Sequence, residues 1–110
     1  MAQSRERSSC ATEVSPKHLV FGLSNLDVQN LYSQMVLTRA LDERLWALNR
    51  QGKVALVASC QGAEAASMGS ALAALKDGDF FFFPYYRDLP LKLMAGITTL
   101  EAMISHFGKS

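Results

Sequence analysis

One short segment combines residue types that could bind an anionic ligand. Residues 84–88 follow a run of four phenylalanines and read Pro-Tyr-Tyr-Arg-Asp. The guanidinium of Arg87 presents a rigid fork of donors suited to phosphate or carboxylate, and the hydroxyl of Tyr86 adds an oriented donor. Ligands of α/β proteins tend to bind outside the carboxyl ends of strands, so this position favours a site. The alternative is a surface turn in which Arg87 and Asp88 pair with neighbours.

A second candidate segment is residues 59–64, Ser-Cys-Gln-Gly-Ala-Glu, at the expected start of a helix. A helix N-terminus presents free backbone N–H groups and the positive end of the helix dipole, which together favour an anionic group. The alternative is an ordinary capping turn in which Glu64 only complements the dipole. The residue types alone leave both interpretations open.

Other reactive side chains carry weaker signals. His106 falls in the last turn of the final predicted helix, where a histidine is usually structural, and His18 lies in a polar leader. The sequence has no metal-ligand spacing, no Ser-His-Asp order and no Walker-type phosphate loop. Residues 77–79, Asp-Gly-Asp, lie in a predicted turn over 76–79 and do not match a diphosphate-binding Gly-Asp-Gly motif. We therefore identify no catalytic residue and predict no metal ligand.

Composition narrows the class of protein. A chain of 110 residues with 49% hydrophobic residues is typical of one globular domain or a piece of one. Eleven basic residues balance ten acidic ones without a basic cluster, which argues against nucleic acid as a partner. No apolar run approaches the roughly 18 residues that span a bilayer. We interpret Cys10 and Cys60 as reduced thiols of a cytoplasmic protein, with a disulfide between them as the alternative.

The hydrophobic pattern begins after a leader. We expect residues 1–21 to be a polar leader without fixed structure, and residues 22–110 to form the N-terminal part of one domain. An amphipathic helix is predicted over residues 26–50, capped by Ser24 and stopped at Gly52. We expect Arg39 and Glu43 to form an i,i+4 ion pair on this helix. Its apolar stripe consists of Leu31, Met35, Thr38, Leu41, Leu45 and Leu48.

Three further elements follow the long helix. A helix rich in small residues is predicted over residues 62–75, and its lack of bulky side chains indicates that it needs crowded surroundings. The phenylalanines at 80–83 would place rings on both faces of a strand, so we predict a strand buried on both faces. A final helix over residues 98–107 begins with a capping box of Thr98 and Glu101.

Several stretches together match a known family. They are residues 35–44, 48–53, 59–62, 64–66 and 84–88, and they are specific only in combination. With them the chain resembles, over roughly residues 22–110, the alpha subunits of thiamine-diphosphate-dependent 2-oxo acid dehydrogenases. The amino acids at residues 48–50 and 59–62 are more similar to those of bacterial 2-oxoisovalerate, or branched-chain, subunits than to those of pyruvate dehydrogenase subunits.

The resemblance implies a fold and a reaction. The fold class is α/β, with this chain as the N-terminal, mainly helical portion of a thiamine-diphosphate-binding fold. The implied reaction is oxidative decarboxylation of a 2-oxo acid, in which thiamine diphosphate attacks the carbonyl, carbon dioxide leaves and the acyl group passes to a lipoyl arm. By resemblance, Tyr86 and Arg87 contact the cofactor diphosphate, and Ser59, Cys60 and Gln61 line the substrate pocket.

The resemblance also implies partners. We expect a beta subunit, in an assembly of two alpha and two beta chains, with the cofactor between them and magnesium bound by alpha-subunit residues outside this fragment. A lipoyl acyltransferase core and a small 2-oxo acid are the other partners, without nucleic acid or membrane, in the cytoplasm. We expect an N-terminal fragment that alone neither binds the cofactor tightly nor turns over. The alternatives are a pyruvate or acetoin dehydrogenase alpha subunit, or a non-enzymatic helical interaction module.

Three positions depart from the family pattern. Ala63 stands where the family commonly has glutamine, so a side-chain amide is lost at a helix start. Leu89 and Pro90 stand where the family has a residue followed by glycine, and proline fixes φ and lacks an N–H. The aromatic run is also one residue longer. We therefore expect local differences in the backbone around both candidate segments.

Overall fold

The computed structural model describes residues 16–78 and 81–108, and there the chain consists of helices joined by turns and irregular segments. No strand occurs in these residues, in agreement with the predicted mainly helical portion of the fold. None of the helices in this part of the chain is long and apolar enough to cross a membrane. The helices are α1 (Lys17–Val20), α2 (Asn25–Arg50), α3 (Glu64–Asp77), α4 (Leu89–Met94) and α5 (Thr99–His106).

Local signals set both ends of α2, as predicted. The amide of Asp27 donates to Oγ of Ser24 over 3.1 Å, and the Ser24 amide donates to the Asp27 carboxylate over 2.8 Å, which completes a capping box. At the other end Gly52 has a φ of +70°, a conformation that side-chain-bearing residues avoid. This geometry lets the Lys53 amide donate to the Leu48 carbonyl over 3.0 Å and reverses the chain.

The core forms where α2 meets the segment that folds back along it. Leu45 and Leu48 on α2 are buried, as the predicted stripe requires. Helix α2 packs against α3 and α4, and α4 also packs against α3 and α5. The short apolar stretch after α2 is irregular, but its side chains enter the core. The other buried side chains of this cluster are Val54, Val57, Cys60, Leu89, Leu93 and Ala102.

The other predicted helices are present with shifted ends. Helix α3 begins at Glu64 rather than near residue 62 and continues to Asp77, so the first half of the predicted turn over 76–79 is helical. A face of α3 made of small residues is exposed within this chain. Helix α5 begins at the predicted capping box, in which the Glu101 amide donates to Oγ1 of Thr98 over 3.2 Å.

The predicted buried strand is wrong for the phenylalanines that the structure describes. Residues 81–83 are irregular, and Phe81 and Phe83 are 94% and 88% exposed. Phe80 lies outside the described residues. A buried strand needs neighbouring strands for its backbone hydrogen bonds, and the described residues supply none. Among residues 81–83, Phe82 alone turns towards the protein, where it lines a small apolar cavity between α3 and α4.

Most of the predicted leader also lies outside the described residues. Residues 1–15, including Cys10, are not described. Near the end of the leader, α1 forms a single helical turn, and its His18 ring shares a hydrogen bond of 2.7 Å with the side chain of Asn25. Phe21 after it is 79% exposed, so α1 adds little to the core.

Candidate functional site

The segment around Tyr86 and Arg87 is a tight turn that leads into α4. The Asp88 amide donates to the Tyr85 carbonyl over 3.0 Å, and the Tyr85 amide donates to the Asp88 carboxylate over 2.8 Å. Pro90 then occupies the first turn of α4, where a missing N–H removes no helical hydrogen bond. The proline that departs from the family pattern is therefore compatible with the local backbone.

The aromatic and cationic side chains of this turn lie against one another. The ring centroids of Tyr85 and Tyr86 are 3.8 Å apart, and Cζ of Arg87 lies 5.7 Å from the centroid of the Tyr86 ring. The neighbouring Tyr86 side chain raises the pKa of Tyr85. Asp88 pairs within the turn, whereas Arg87 forms no ion pair with any described residue. Its guanidinium is thus available to an external anion.

A cavity of about 680 Å³ brings the two candidate segments together. Ser59 of the first segment lines it together with Tyr86 and Arg87 of the second. No acidic side chain is among the described residues that line it, so Arg87 gives the cavity a positive end. The remaining walls are apolar and consist of Trp46, Leu56, Val57 and Ala58. The predicted strand end is absent here, so the turn before α4 positions Tyr86 and Arg87 instead.

A second cavity of about 610 Å³ adjoins the first and shares Tyr86 with it. Lys53 and Lys92 line this cavity with His106, and the described residues again contribute no carboxylate to its wall. The His106 ring donates from Nδ1 to the Ala102 carbonyl over 2.8 Å, which is the structural role usual for a histidine at a helix end. The two cavities thus meet at Tyr86, with Arg87 in the wall of one and Lys53 and Lys92 in the wall of the other.

The turn that contains Ser59, Cys60 and Gln61 is held by a buried carboxylate on α2. Oδ2 of Asp42 accepts a hydrogen bond of 2.8 Å from the Ser59 hydroxyl, and Oδ1 accepts one of 3.1 Å from the Cys60 amide. The Ser59 hydroxyl in turn accepts from the Gln61 amide over 3.2 Å. Ser59 and Gln61 both line a further cavity beside Trp46, so two of the three predicted pocket residues reach a cavity surface.

Cys60, the third predicted pocket residue, points into the core instead. Its side chain is 2% exposed, and its thiol lies 3.6 Å from Oδ1 of Asp42. Burial, reinforced by the negative charge of Asp42, raises the pKa of the Cys60 thiol to about 12. The thiol therefore stays protonated at neutral pH and is not a nucleophile there.

The end of the turn is fixed by a second carboxylate. Glu64 accepts from the Gly62 amide over 2.7 Å and from Nε of Arg39 over 2.7 Å. The predicted pair of Arg39 with Glu43 is wrong, because Arg39 reaches a less exposed partner on another helix. Since the Glu64 carboxylate lies at the helix start and accepts from the Gly62 amide just before it, the structure favours the capping turn over an external anion site here. Ala63 caps α3 without a side-chain hydrogen bond.

The sequence interpretation missed Asp42 and Trp46. Asp42 directly follows Leu41 of the apolar stripe, and a carboxylate on the buried side of a helix is a signal that could have identified it. Trp46 stands beside the stripe and reads as one more core side chain, yet it lines two cavities. Within residues 16–78 and 81–108, no group of three or more His, Cys, Asp and Glu side chains could hold a metal ion.

Comparison with known proteins connects this geometry to a family. A family model described as the dehydrogenase E1 component matches residues 32–110, which include both cavity-lining segments. The chain belongs to the dehydrogenase E1 component family. The resemblance found from the sequence motifs is therefore confirmed, and the helices described above are a mainly helical portion of that family's fold.

Individual E1 relatives differ in their substrates. The chain is 43% identical over 94 residues to the 2-oxoisovalerate dehydrogenase subunit alpha of Bacillus subtilis, covering 86% of this chain and 28% of the relative. It is 48% identical over 67 residues to the 3-methyl-2-oxobutanoate dehydrogenase subunit alpha of Mycobacterium tuberculosis, covering 61% of this chain and 18% of the relative. A pyruvate dehydrogenase E1 component subunit alpha from Bacillus cereus is 35% identical over 82 residues, covering 74% of this chain and 22% of the relative.

These figures mean that the chain spans less than a third of the length of the curated relatives it matches. No solved structure matches the chain.

Proposed function

We propose that this chain forms part of the alpha subunit of a thiamine-diphosphate-dependent 2-oxo acid dehydrogenase that acts on branched-chain 2-oxo acids. The observation that carries the proposal is the meeting of Tyr86, Arg87 and Ser59 around one cavity with a positive end and apolar walls. Identity to the Bacillus subtilis 2-oxoisovalerate subunit supports the branched-chain substrate.

The residues around the cavity fit a diphosphate. Arg87 has no internal ion partner among the described residues, and the cavity walls carry no described carboxylate that would repel an anion. Arg87 would hold phosphate oxygens through paired N–H groups, and the Tyr86 hydroxyl would add a further donor. When bound, thiamine diphosphate supplies the nucleophilic carbon that attacks the keto group and stabilises the charge left by decarboxylation.

Other parts of the proposed enzyme complete the site and the reaction. Magnesium would be held by residues outside this chain, and a beta subunit would enclose the cofactor from the other side in an assembly of two alpha and two beta chains. The 2-oxo acid loses carbon dioxide, and its acyl group is transferred to the disulfide of a lipoyl arm, which is reduced as it accepts the acyl group. The acyltransferase core that carries the arm completes the complex, which we place in the cytoplasm.

Two alternatives remain distinct from this proposal. The identity to the Bacillus cereus pyruvate dehydrogenase subunit favours pyruvate as a second candidate substrate, with the acetoin enzyme as a further relative. The other alternative is a helical interaction module without catalytic activity. These hypotheses differ in whether the protein decarboxylates a 2-oxo acid and in which 2-oxo acid it prefers.

The test uses the complete gene product that contains this chain, expressed together with the proposed beta subunit. Decarboxylation of 3-methyl-2-oxobutanoate and of pyruvate is measured with thiamine diphosphate, magnesium and an artificial electron acceptor. A higher kcat/KM for 3-methyl-2-oxobutanoate supports the proposal, and a higher value for pyruvate assigns the second candidate. Absence of turnover and of cofactor binding in the assembled protein would leave only the interaction module.

A further inference from the structure

Asp42 is a buried carboxylate whose described hydrogen-bond partners all come from one turn. Asp42 is 1% exposed, and its carboxylate accepts hydrogen bonds from the Ser59 hydroxyl, the Cys60 backbone amide and the Cys60 thiol. No cation forms a salt bridge with it in the described part of the chain. Burying a carboxylate without a cation costs free energy, so these hydrogen bonds stabilise the Asp42 side chain in its buried position.

The hydrogen bonds continue beyond Asp42 to the cavity surface. The Ser59 hydroxyl donates a hydrogen bond of 2.8 Å to Asp42 and accepts one of 3.2 Å from the backbone amide of Gln61. Ser59 lines the cavity that contains Arg87, and Ser59 and Gln61 together line the neighbouring cavity of about 380 Å³. One side chain on α2 therefore fixes both residues of the turn that face a cavity.

The apolar core does not hold these two residues. Val57 and Cys60 are buried in the core around Leu45, whereas Ser59 is partly buried and Gln61 is exposed. Within the described residues, the Ser59 hydroxyl and the Gln61 amide reach α2 only through Asp42. Loss of Asp42 would therefore leave the core segment in place and free the part of the turn that faces the cavities.

From this arrangement we infer that Asp42 is a positioning residue for the substrate pocket and acts through the Ser59 hydroxyl. The inference rests on the proposed function for its kinetic consequences. Asp42 touches no cavity itself, because it is absent from the walls of the cavities that Ser59 lines. It sets the place of Ser59, which shares a cavity with Arg87, and through Ser59 that of Gln61 in the neighbouring cavity, and these are the surfaces that a 2-oxo acid would contact.

The kinetic test compares Asp42→Asn, Ser59→Ala and the double variant in the complete subunit assembled with its partner. The Ser59 hydroxyl and the Cys60 backbone amide donate to different oxygens of Asp42, and asparagine replaces one of these oxygens by an NH2 donor, so the paired arrangement is lost. Each single substitution should raise KM for 3-methyl-2-oxobutanoate by roughly threefold to tenfold, the equivalent of one hydrogen bond. kcat and thiamine diphosphate affinity should stay within about twofold of the wild type, since the diphosphate contacts are untouched.

The double variant tests whether Asp42 acts through Ser59. Its KM should equal that of Ser59→Ala, because the same interaction is already lost, whereas multiplied effects would overturn the inference. Ser33→Ala is the matched control, since this α2 hydroxyl bonds only to the Gln29 carbonyl of its own helix, and KM should be unchanged. If Asp42→Asn does not fold, Ser59→Ala decides alone: a raised KM supports the inference and an unchanged KM overturns it.

Hydrogen exchange gives a readout that needs no catalysis. In Ser59→Ala the Gln61 amide should exchange faster while the Cys60 amide, bound directly to Asp42, stays protected. In Asp42→Asn the Gln61 amide should also exchange faster. An unchanged Gln61 amide in both variants overturns the inference even if the enzyme is active. Failure of the proposed function would be seen separately, as a wild-type assembly that decarboxylates no 2-oxo acid.

Discussion

Nε of Arg39 donates to Oε1 of Glu64 over 2.7 Å and joins α2 to the first residue of α3. The Glu64 side chain is 5% exposed, whereas that of Arg39 is 46% exposed. The second Glu64 oxygen accepts from the Gly62 amide. One carboxylate therefore holds two helices and the turn between the cavities and α3, and it does so from a buried position.

Acid should weaken this junction. The hydrogen bond from Arg39 lowers the pKa of Glu64 below its ordinary value of 4.5. Because the pKa of Glu64 is lower in the folded than in the unfolded state, its ionised form stabilises the fold. This stabilisation is complete above the unfolded-state pKa and is lost as pH falls through the folded-state pKa. Glu64→Gln should therefore unfold more readily at neutral pH and lose less stability between about pH 6 and pH 3 than the wild type. Urea denaturation at a series of pH values measures both effects.

Glu43→Gln is the matched control for the acid experiment. Glu43 is exposed on α2, four positions after Arg39, but Arg39 pairs with Glu64 instead. We expect the urea midpoint of Glu43→Gln to follow that of the wild type at each pH. A loss of acid sensitivity in Glu43→Gln equal to that in Glu64→Gln would contradict the pairing.

The Cys60 thiol should be unreactive in the folded protein. Its pKa rises from 9.0 to about 12 through burial and the charge of Asp42, so the thiolate fraction at neutral pH falls about a thousandfold. Alkylation by iodoacetamide, followed by mass spectrometry in a Cys10→Ser background, should label Cys60 only after unfolding by urea. Labelling of native Cys60 as fast as of a free peptide thiol would show that the thiol is not buried.

The capping box of α5 should contribute measurably to stability. The Thr98 hydroxyl accepts from the Glu101 amide, which otherwise lacks a helical partner. Thr98→Ala should lower the free energy of unfolding by about 1 kcal/mol, and Thr98→Ser should lower it much less. Chemical denaturation measures the difference. Ser70→Ala serves as the control, because its exposed hydroxyl only bonds to a carbonyl of its own helix; an equal loss in that variant would argue against a specific cap.

Arg87 should carry most of the affinity of this chain for a diphosphate. In the complete assembly, Arg87→Ala should weaken thiamine diphosphate binding roughly tenfold to a hundredfold, because charge-assisted hydrogen bonds are lost. Arg87→Lys should restore only part of it, since an ammonium group lacks the paired geometry of a guanidinium. Isothermal titration calorimetry with magnesium present gives the constants. Tyr85→Phe is the control, as Tyr85 is outside the cavity wall, and wild-type affinity in Arg87→Ala would exclude the assigned role.

The starts of α2 and α5 could be predicted from the sequence because the interactions that set them are local, whereas α1 and α4 were not predicted and α3 begins later than expected. Ser24 with Asp27, and Thr98 with Glu101, meet through a spacing of three residues whatever the rest of the chain does. The stripe that contains Leu45 and Leu48 follows the period of a helix, so its burial was predictable as well. The family resemblance likewise depended only on short runs of residues.

The polar contacts that shape the candidate site were decided by the tertiary structure. Arg39 pairs with Glu64, 25 positions away, rather than with its neighbour Glu43, and Asp42 accepts a hydrogen bond from Ser59, 17 positions away. The sequence carries no period that links such positions, since their distance depends on how the whole chain packs. A buried carboxylate must also find donors wherever the fold brings them, which is a property of the packed molecule.

The exposed aromatic run illustrates the same division. Composition alone indicated an apolar strand at residues 80–83, but a strand exists only where other strands supply hydrogen-bond partners. The sequence by itself determined the capped starts of α2 and α5 and the family resemblance; the tertiary structure decided that Ser59, Tyr86 and Arg87 share a cavity and that residues 81–83 stay unpaired. Local contacts are encoded by spacing, whereas distant contacts are fixed only when the core of α2, α3 and α4 packs together.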